Sequence, residues 1–417
     1  MTTHATVRPA VMSERQWYNF GVGFYFAAGG VNTVLFPWLV AVVLHLPAAW
    51  VGFAQMAANL PLLTIVLLGG AIADRTELRR HLLRMQLLVT IPTLFLAACE
   101  LLGTLSYSAL LTYGVLIGTI SALVMPARDA ALTRIALRDA RDLPRAVAAA
   151  TGLQYGGQLV GIMIGGIAEH VGLIIMLGII AALVLIAAAA TSQLAPQPAP
   201  ANPKPFRGAI LGEMRDGIAE AFASRRIRTV IIHMLINGFI FMGVFMVGFP
   251  ILIRDIYAGS SIELAIFNMS FLVGIIGVSF AVAMGKPIQR QGRAIMISLL
   301  IGVACLIAMQ FAPSFPLLAL ATLVWGVCGG FSVSLSRAIV QEAAPASHRA
   351  RIISIFQLAA LGGAPVGALL VGFIIQWLGT NNLLFFAAVW LAANWLALFF
   401  FSNLWRLERI APDAAAK

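Results

Sequence analysis

What most constrains this chain is its succession of apolar runs, each about as long as a bilayer is thick, separated by short clusters of basic residues. A hydrocarbon core of about 30 Å takes about 20 helical residues. On that measure the sequence predicts twelve spans, at 17–44, 48–72, 81–102, 106–127, 146–168, 171–193, 228–252, 262–285, 294–312, 316–338, 350–376 and 381–405. With 61% hydrophobic and 10% charged residues and a mean hydropathy of +0.95, the chain is too apolar for a soluble globular protein. The residues before the first run are mostly polar, and that run is long with no small-residue cleavage site before an extramembrane domain. A first spanning helix is expected there, not a cleaved signal.

A net charge of +11 raises the question of nucleic acid, but the cations sit in short clusters between apolar runs and form no continuous face. Nucleic acid is therefore not expected as a partner; the lipid bilayer is. Every Lys and Arg except Arg254 falls on one side of the predicted bundle, the side of both termini. By the positive-inside rule this predicts a multi-pass plasma (inner) membrane protein with both termini cytoplasmic. Cys99, Cys305 and Cys328 lie inside apolar segments without CxxC spacing or a nearby His pair, so neither a disulfide nor a metal site is predicted.

The stretch Ala195-Pro-Gln-Pro-Ala-Pro-Ala-Asn-Pro-Lys-Pro205 cannot continue a helix and runs extended. It divides the chain into a six-helix half at 1–193, a linker at 194–227 and a second six-helix half at 228–417. Within the linker Ile210, Leu211, Met214, Ile218 and Phe222 recur at helical spacing opposite Glu213, Asp216 and Glu220, predicting a short amphipathic surface helix. The halves are copies. Gly70-Ala-Ile-Ala-Asp-Arg75 aligns with Gly285-Lys-Pro-Ile-Gln-Arg290. Arg145, Gly156, Gly157, Val160, Gly161 and Gly166 align without gaps with Arg351, Gly362, Gly363, Val366, Gly367 and Gly372. Six spans per half give both copies the same orientation, related by an axis along the membrane normal.

With its twelve spans in two halves, the Gly70-x-Ile-Ala-Asp-Arg75 hinge after span two and its long central loop, nearly the whole chain resembles the major facilitator superfamily of secondary transporters. Pro126-Ala-Arg-Asp-Ala-Ala-Leu-Thr-Arg134, with Gly157-Gln-Leu-Val-Gly161-Ile-Met-Ile-Gly165-Gly166, is similar to bacterial exporters of drugs, macrolides and siderophores. The hinge departs from the family pattern at Glu77 and Leu78, although Arg79 and Arg80 restore its basic end. Span five has Ile162 where the antiporter signature has proline, so the helix kink of that signature is not predicted. The resemblance implies an all-α fold and a latch at Gly70, Asp74, Arg75 and Arg128, with Asp74 capping span eleven or pairing with Arg128. The plain alternative is that these charges only set topology.

The glycines of span five (Gly156, Gly157, Gly161, Gly165, Gly166) and of its copy (Gly362, Gly363, Gly367, Gly372) let helix backbones approach closely. Polar groups inside spans usually face a cavity or a partner, which nominates Asn32, Gln55, Asn59, Gln154, Tyr155, Gln158, His233, Asn237 and Trp325 as substrate-cavity residues. Asn32 and Asn237, in the first spans of the two halves, are expected to face one central space. For proton coupling the candidates are Glu100, Asp129, Glu169 and His233, of which His233 titrates nearest neutrality; no carboxylate falls at mid-membrane. The sequence has no Walker loop, zinc spacing or catalytic triad placed by a motif, so neither an enzyme nor a cofactor is predicted. The reading is a monomeric secondary transporter working by alternating access and exporting a small amphipathic organic compound, with protons as the candidate coupling ion. An importer or uniporter of a small metabolite, and a sensor that keeps the fold without transport, are the alternatives.

Overall fold

The computed structural model describes residues 12–73, 75–138, 143–196, 218–285, 288–345 and 349–409. Among these the regular structure is helical throughout. The long helices are α1 (Glu14–Val43), α2 (Ala48–Ala73), α3 (Leu78–Leu101), α4 (Tyr107–Arg138), α5 (Leu143–Gly166), α6 (Leu173–Ser192), α7 (Arg225–Tyr257), α8 (Ser261–Met284), α9 (Gln291–Gln310), α10 (Phe315–Ala343), α11 (Arg349–Leu378) and α12 (Leu383–Phe401). All predicted spans are present. Helix α4 runs eleven residues past its predicted end at 127, because Ala130, Ala131, Leu132 and Ala136 favour helix and no breaker follows the membrane boundary. Eleven of the helices are apolar enough to cross a bilayer by composition. Helix α5, at 24 residues, is long enough, but its glycines and Gln154, Tyr155 and Gln158 dilute its hydropathy. Of the predicted amphipathic helix, 218–223 is helical; the rest lies outside the described residues.

Local chemistry sets the helix ends. Ser13 and Gln16 form a capping box at α1, and Ser260 and Glu263 another at α8, each satisfying orphan backbone donors. Glu77 accepts from the amides of Arg79 (3.2 Å) and Arg80 (2.9 Å) to start α3. Gly172 and Gly379 have φ of +85° and +80°, a conformation that favours glycine, and they turn the chain into α6 and α12 at equivalent places in the two halves.

Packing repeats with the sequence. Helix α1 lies on α5 as α7 lies on α11, and α2 on α4 as α8 on α10. The glycine steps permit it: a Cβ on Gly161 would sit 1.9 Å from the Ala27 carbonyl oxygen, and one on Gly367 1.8 Å from that of Phe239. Gly157, Gly363 and Gly165 face the same partners, but Gly156 has nothing within 4 Å. The expectation for Gly156 is corrected, since 157, 161 and 165 share one face by i, i+4 spacing and 156 turns off it. Gly166 and Gly372 instead meet the opposite half, Gly166 at Ala265 of α8 and Gly372 at Ala48 of α2, where a Cβ would lie 2.8 and 2.7 Å from its neighbour. Gly362 meets Leu63 of α2 at 3.4 Å. The two seams between halves are therefore α2 with α11 and α5 with α8.

The described ends of the chain, at Met12 and Arg409, lie at one end of the bundle, and the α1–α2 connection lies at the other. At this loop end the halves are tied together. Ser261 donates to the Gly166 carbonyl (2.8 Å) and accepts from the Glu169 amide (3.1 Å). Gly52 packs on Ala368 and Gly372. At the terminal end, hydrogen bonds stitch each half to itself: Arg79 to the Leu194 carbonyl at 2.9 Å, Gln291 to Glu342 at 3.0 Å, and Arg226 to the Glu408 carbonyl. The outward faces of the bundle carry large apolar groups such as Leu94, Phe280, Trp377 and Phe401, as lipid contact requires.

Candidate functional site

Between the seams lies a cavity of about 260 Å³, lined by α1, α2 and α4 of the first half and by α7 and α8 of the second. Asn32, Gln55, Asn59 and Asn268 bring amides to a wall otherwise made of Phe36, Phe245, Met246 and other apolar groups. A second cavity of about 310 Å³ continues from it toward the terminal end within the first half. The two share the wall residues Asn32, Leu62, Ile117 and Ser121; taken together as one joined cavity, they run from the inter-half seam to Arg128. Along α4 it extends from Gly114 to Arg128, about 21 Å at 1.5 Å per residue.

Its polar groups are positioned rather than loose. The Tyr113 hydroxyl donates to Asn32 Oδ1 at 2.9 Å. Asn59 Nδ2 donates to the Gln55 carbonyl at 2.8 Å and lies 3.7 Å from Met246 Sδ of the other half. Asn268 Nδ2 donates to the Leu264 carbonyl at 2.7 Å. Arg128 lies over the Phe26 ring, 4.6 Å from its centroid, with Nη2 3.2 Å from Asp129 Oδ1. Its backbone carbonyl accepts from Tyr18 at 3.0 Å. Among the described lining residues no Asp, Glu or His faces this space.

Of the sequence candidates, Asn32, Gln55, Asn59 and Gln154 line the joined cavity. Tyr155 packs against the core, and Gln158 belongs to the α5 face that packs on Gly30; neither lines these cavities. Asn237 and Trp325 line a separate pocket of about 40 Å³ inside the second half, room for a few waters only. Trp325 is a packing group there, with its ring centroid 4.7 Å from Phe241 and 5.2 Å from Phe271. The expectation that Asn32 and Asn237 share one space is thereby corrected. Two helical halves superimpose in their glycine steps, but Asn32 and Asn237 stand at different registers of α1 and α7.

His233 is corrected likewise. It is fully buried, with Nδ1 3.3 Å from Asn394 Nδ2 and Nε2 3.2 Å from Ser332 Oγ. An amide nitrogen only donates, so Nδ1 accepts from Asn394 and Nε2 is left to the Ser332 hydroxyl. Both nitrogens are used in clamping α7 to α10 and α12. Glu100 is half-buried at the loop end of α3, while Asp129 and Glu169 are exposed.

Of the expected latch, Asp74 lies outside the described residues. The described members make contacts within the first half: Arg79 with Leu194, Arg80 with Glu77 at 3.7 Å, and Arg128 with Asp129. The Arg75 amide donates to the Ile72 carbonyl at 3.0 Å, closing the turn after Gly70. A charged tie that does cross between the halves, beside the Ser261 bonds, is one the sequence reading passed over. Arg254 Nη1 of α7 donates to the carbonyls of Ala41 (2.7 Å) and Leu46 (2.9 Å), just where α1 ends, and Nε bonds Asp255 Oδ1 at 2.6 Å. Asp255 Oδ2 in turn accepts from Thr380 at 2.8 Å. The signal was present in Arg254 being the lone cation on its side. Asn268, a single amide in the apolar run of α8, was also readable but not singled out.

Residues 26–416 match the family described as transmembrane secretion effector. Over 352 residues the chain is 24% identical to the multidrug efflux pump Tap of Mycolicibacterium fortuitum, covering 83% of this chain and 85% of that one. Among solved structures, a point variant of the nucleoside transporter NupG superposes with a TM-score of 0.77 at 15% identity, covering 93% of this chain and 99% of that one. A bacterial homologue of the human lysosomal transporter Spinster, inward-facing and unoccupied, gives 0.72 at 13%, covering 97% and 100%. These structures speak to the fold alone. With one family matched along nearly its whole length, the chain belongs to the transmembrane secretion effectors of the major facilitator superfamily.

Proposed function

We propose that the protein is a secondary transporter that exports a small amphipathic organic compound by alternating access, with both termini in the cytoplasm. The observation that carries this is the joined cavity. It is mostly apolar with a few fixed amides, as small-molecule sites are, and it reaches the seam where the halves meet while the loop end is tied shut. A conformation closed on one side around an internal site is one of the two that alternating access requires. Export is favoured by the likeness to an efflux pump and by the basic terminal end, which orients the cavity's Arg128 mouth toward the cytoplasm under the positive-inside rule. Proton coupling has no carrier among the described lining residues, so a carrier would be Glu100, Asp129 or Glu169 at the ends of the helices.

Flux tests the reading. Purified protein in proteoliposomes, with candidate compounds taken from a metabolite comparison of cells with and without it, is expected to move at least one of them from the terminal-end side to the loop-end side. Binding without flux would make the protein a sensor. Movement in the opposite direction would make it an importer.

A further inference from the structure

We propose that the joined cavity selects its cargo by charge, taking neutral and anionic amphipaths and rejecting organic cations, with Arg128 as the group that faces the anion. This rests on the reading of that cavity as the carrier site. Among the described residues that line it, Arg128 is the one that carries a formal charge. The rest of its polarity is neutral: Asn32, Gln55, Asn59, Gln154 and Asn268, with the hydroxyls of Ser121, Thr33, Tyr25 and Tyr113.

A cation entering such a space loses water and finds no carboxylate to replace it, and an uncompensated buried charge is costly. Aromatic faces are the usual alternative for a cation. Here the nearest one is taken, since the Arg128 guanidinium already sits 4.6 Å from the Phe26 centroid. The other rings of the lining pack against neighbours: Tyr25 edge-on to Phe26 at 5.9 Å, Phe36 against Tyr113 at 6.3 Å, and Phe245 against Phe271 at 4.8 Å and Phe267 at 5.6 Å.

An anion meets the opposite conditions. The Arg128 side chain is 13% exposed and lines the cavity, while that of its partner Asp129 is 63% exposed and is not among the lining residues. Asp129 uses Nε (3.4 Å) and Nη2 (3.2 Å). Among the described residues Nη1 has no hydrogen bond, and a guanidinium has five donors in a fixed fork suited to a carboxylate or phosphate. Stacking on Phe26 and the Tyr18 bond to the Arg128 backbone hold that fork at the mouth of the space. The amide end, about 10 Å or more deeper by helical rise from Ser121 to Arg128, is left to bind the uncharged part of the compound.

The test is binding to the purified full-length protein in nanodiscs, using an aryl-alkyl series that differs only in its head group: carboxylate, primary amide and trimethylammonium. Wild type is expected to bind the carboxylate and the amide at least tenfold more tightly than the ammonium. Arg128→Gln should weaken the carboxylate about tenfold and leave the amide unchanged, and Arg128→Lys should restore most of the difference. Because Arg128 also packs on Phe26, Asn32→Asp provides a second route that leaves that contact alone. It keeps the oxygen that accepts from Tyr113 and puts a carboxylate into the cavity, so the ammonium should gain and the carboxylate lose. Equal or tighter binding of the ammonium by wild type, or an unchanged order in Asn32→Asp, overturns the charge inference. No binding of any member overturns the amphipath site itself. The measurement needs no gradient, so ordered binding without flux in proteoliposomes would sink the transport reading and leave this inference standing.

Discussion

Replacing Arg254 with Gln should open the loop end. The side chain is 18% exposed, and its two bonds reach the carbonyls of Ala41, in the last turn of α1, and of Leu46, in the loop just beyond it. They stand at the negative end of the α1 dipole, where a cation is favoured. The residue is on α7, so these bonds join the two halves only while the loop end is closed. Gln retains one donor group, loses the charge and is too short to reach both oxygens. A hydrogen bond involving a charged group contributes about 1.5–3 kcal/mol. At a partly wetted rim the low end of that range for the pair is the safer figure. Since about 1.4 kcal/mol is tenfold in an equilibrium, the ratio of loop-closed to loop-open molecules should fall about tenfold. Spin labels at Leu102 and Trp377, both highly exposed at the loop end of opposite halves, on a background lacking the three native cysteines, would report it as a new long-distance population. Asp255→Asn, which keeps the hydrogen-bonding shape toward Arg254 and Thr380, should shift it less. If Arg254→Gln leaves the distance distribution unchanged, the strap is ornamental and the glycine seams alone hold the loop end shut.

Gly161→Ala should lower thermal stability and yield by the equivalent of about 1–3 kcal/mol, the usual cost of overpacking, because its Cβ would meet a backbone carbonyl at 1.9 Å; Gly156→Ala, with open space around it, should melt like wild type by fluorescence-detected size exclusion. Gly372→Leu should prop α2 away from α11 and lengthen the same Leu102–Trp377 distance without Arg254 being touched. Asn32→Ala should weaken cargo binding several-fold, whereas Asn237→Ala, in its small separate pocket, should leave affinity within twofold by titration of the purified protein. A cysteine at Trp377 should react with an impermeant thiol reagent added outside intact cells and one at Arg80 should not; the reverse would overturn the assigned orientation.

The architecture was legible because the forces that make it are local. Apolar length fixes a span, and a glycine every fourth residue fixes which face of α5 or α11 meets its partner. Both survive in the sequence without reference to any other helix. What was not legible depends on register between helices. Asn32 and Asn237 look equivalent as amides in the first span of each half, yet only Asn32 is rotated onto Tyr113 and the joined cavity. His233 has the composition of a proton carrier, and only the arrival of Ser332 and Asn394 from two distant helices shows both its nitrogens occupied. Arg254 could be placed on its side of the membrane by counting, but its partners are backbone carbonyls, which every residue has and no sequence pattern marks.

That last point bears on how the two halves divide the work. Duplication gives the seams α2–α11 and α5–α8 small residues at the crossing, Gly52 and Gly372 in one and Gly166 and Ala265 in the other, with α2–α11 the more extensive of the two. Polar chemistry then breaks the symmetry. Most of the amides that touch the cavity, Asn32, Gln55, Asn59 and Gln154, lie on α1, α2 and α5, with Arg128 of α4 at the terminal end, while the equivalent interior of the second half is filled by Trp325 and its phenylalanine neighbours around a pocket of only about 40 Å³. The second half instead contributes Arg254 and Asp255, which act at the rim. On the proposed reading, most of the cargo contacts sit in the first half, with Phe245, Met246 and Asn268 from the second, and the strap at the rim belongs to the second. Cargo can then bias the loop end only by moving α7 or α8 through the residues they place against it: Phe245, Met246 and Asn268. Phe245 and Met246 lie in the π turn Val244–Gly248, and Arg254 follows on the same helix within two further turns. A ligand that pushes this turn therefore reaches the arginine through the short α7 segment that carries Pro250, a direct chain connection between the site and its outer closure.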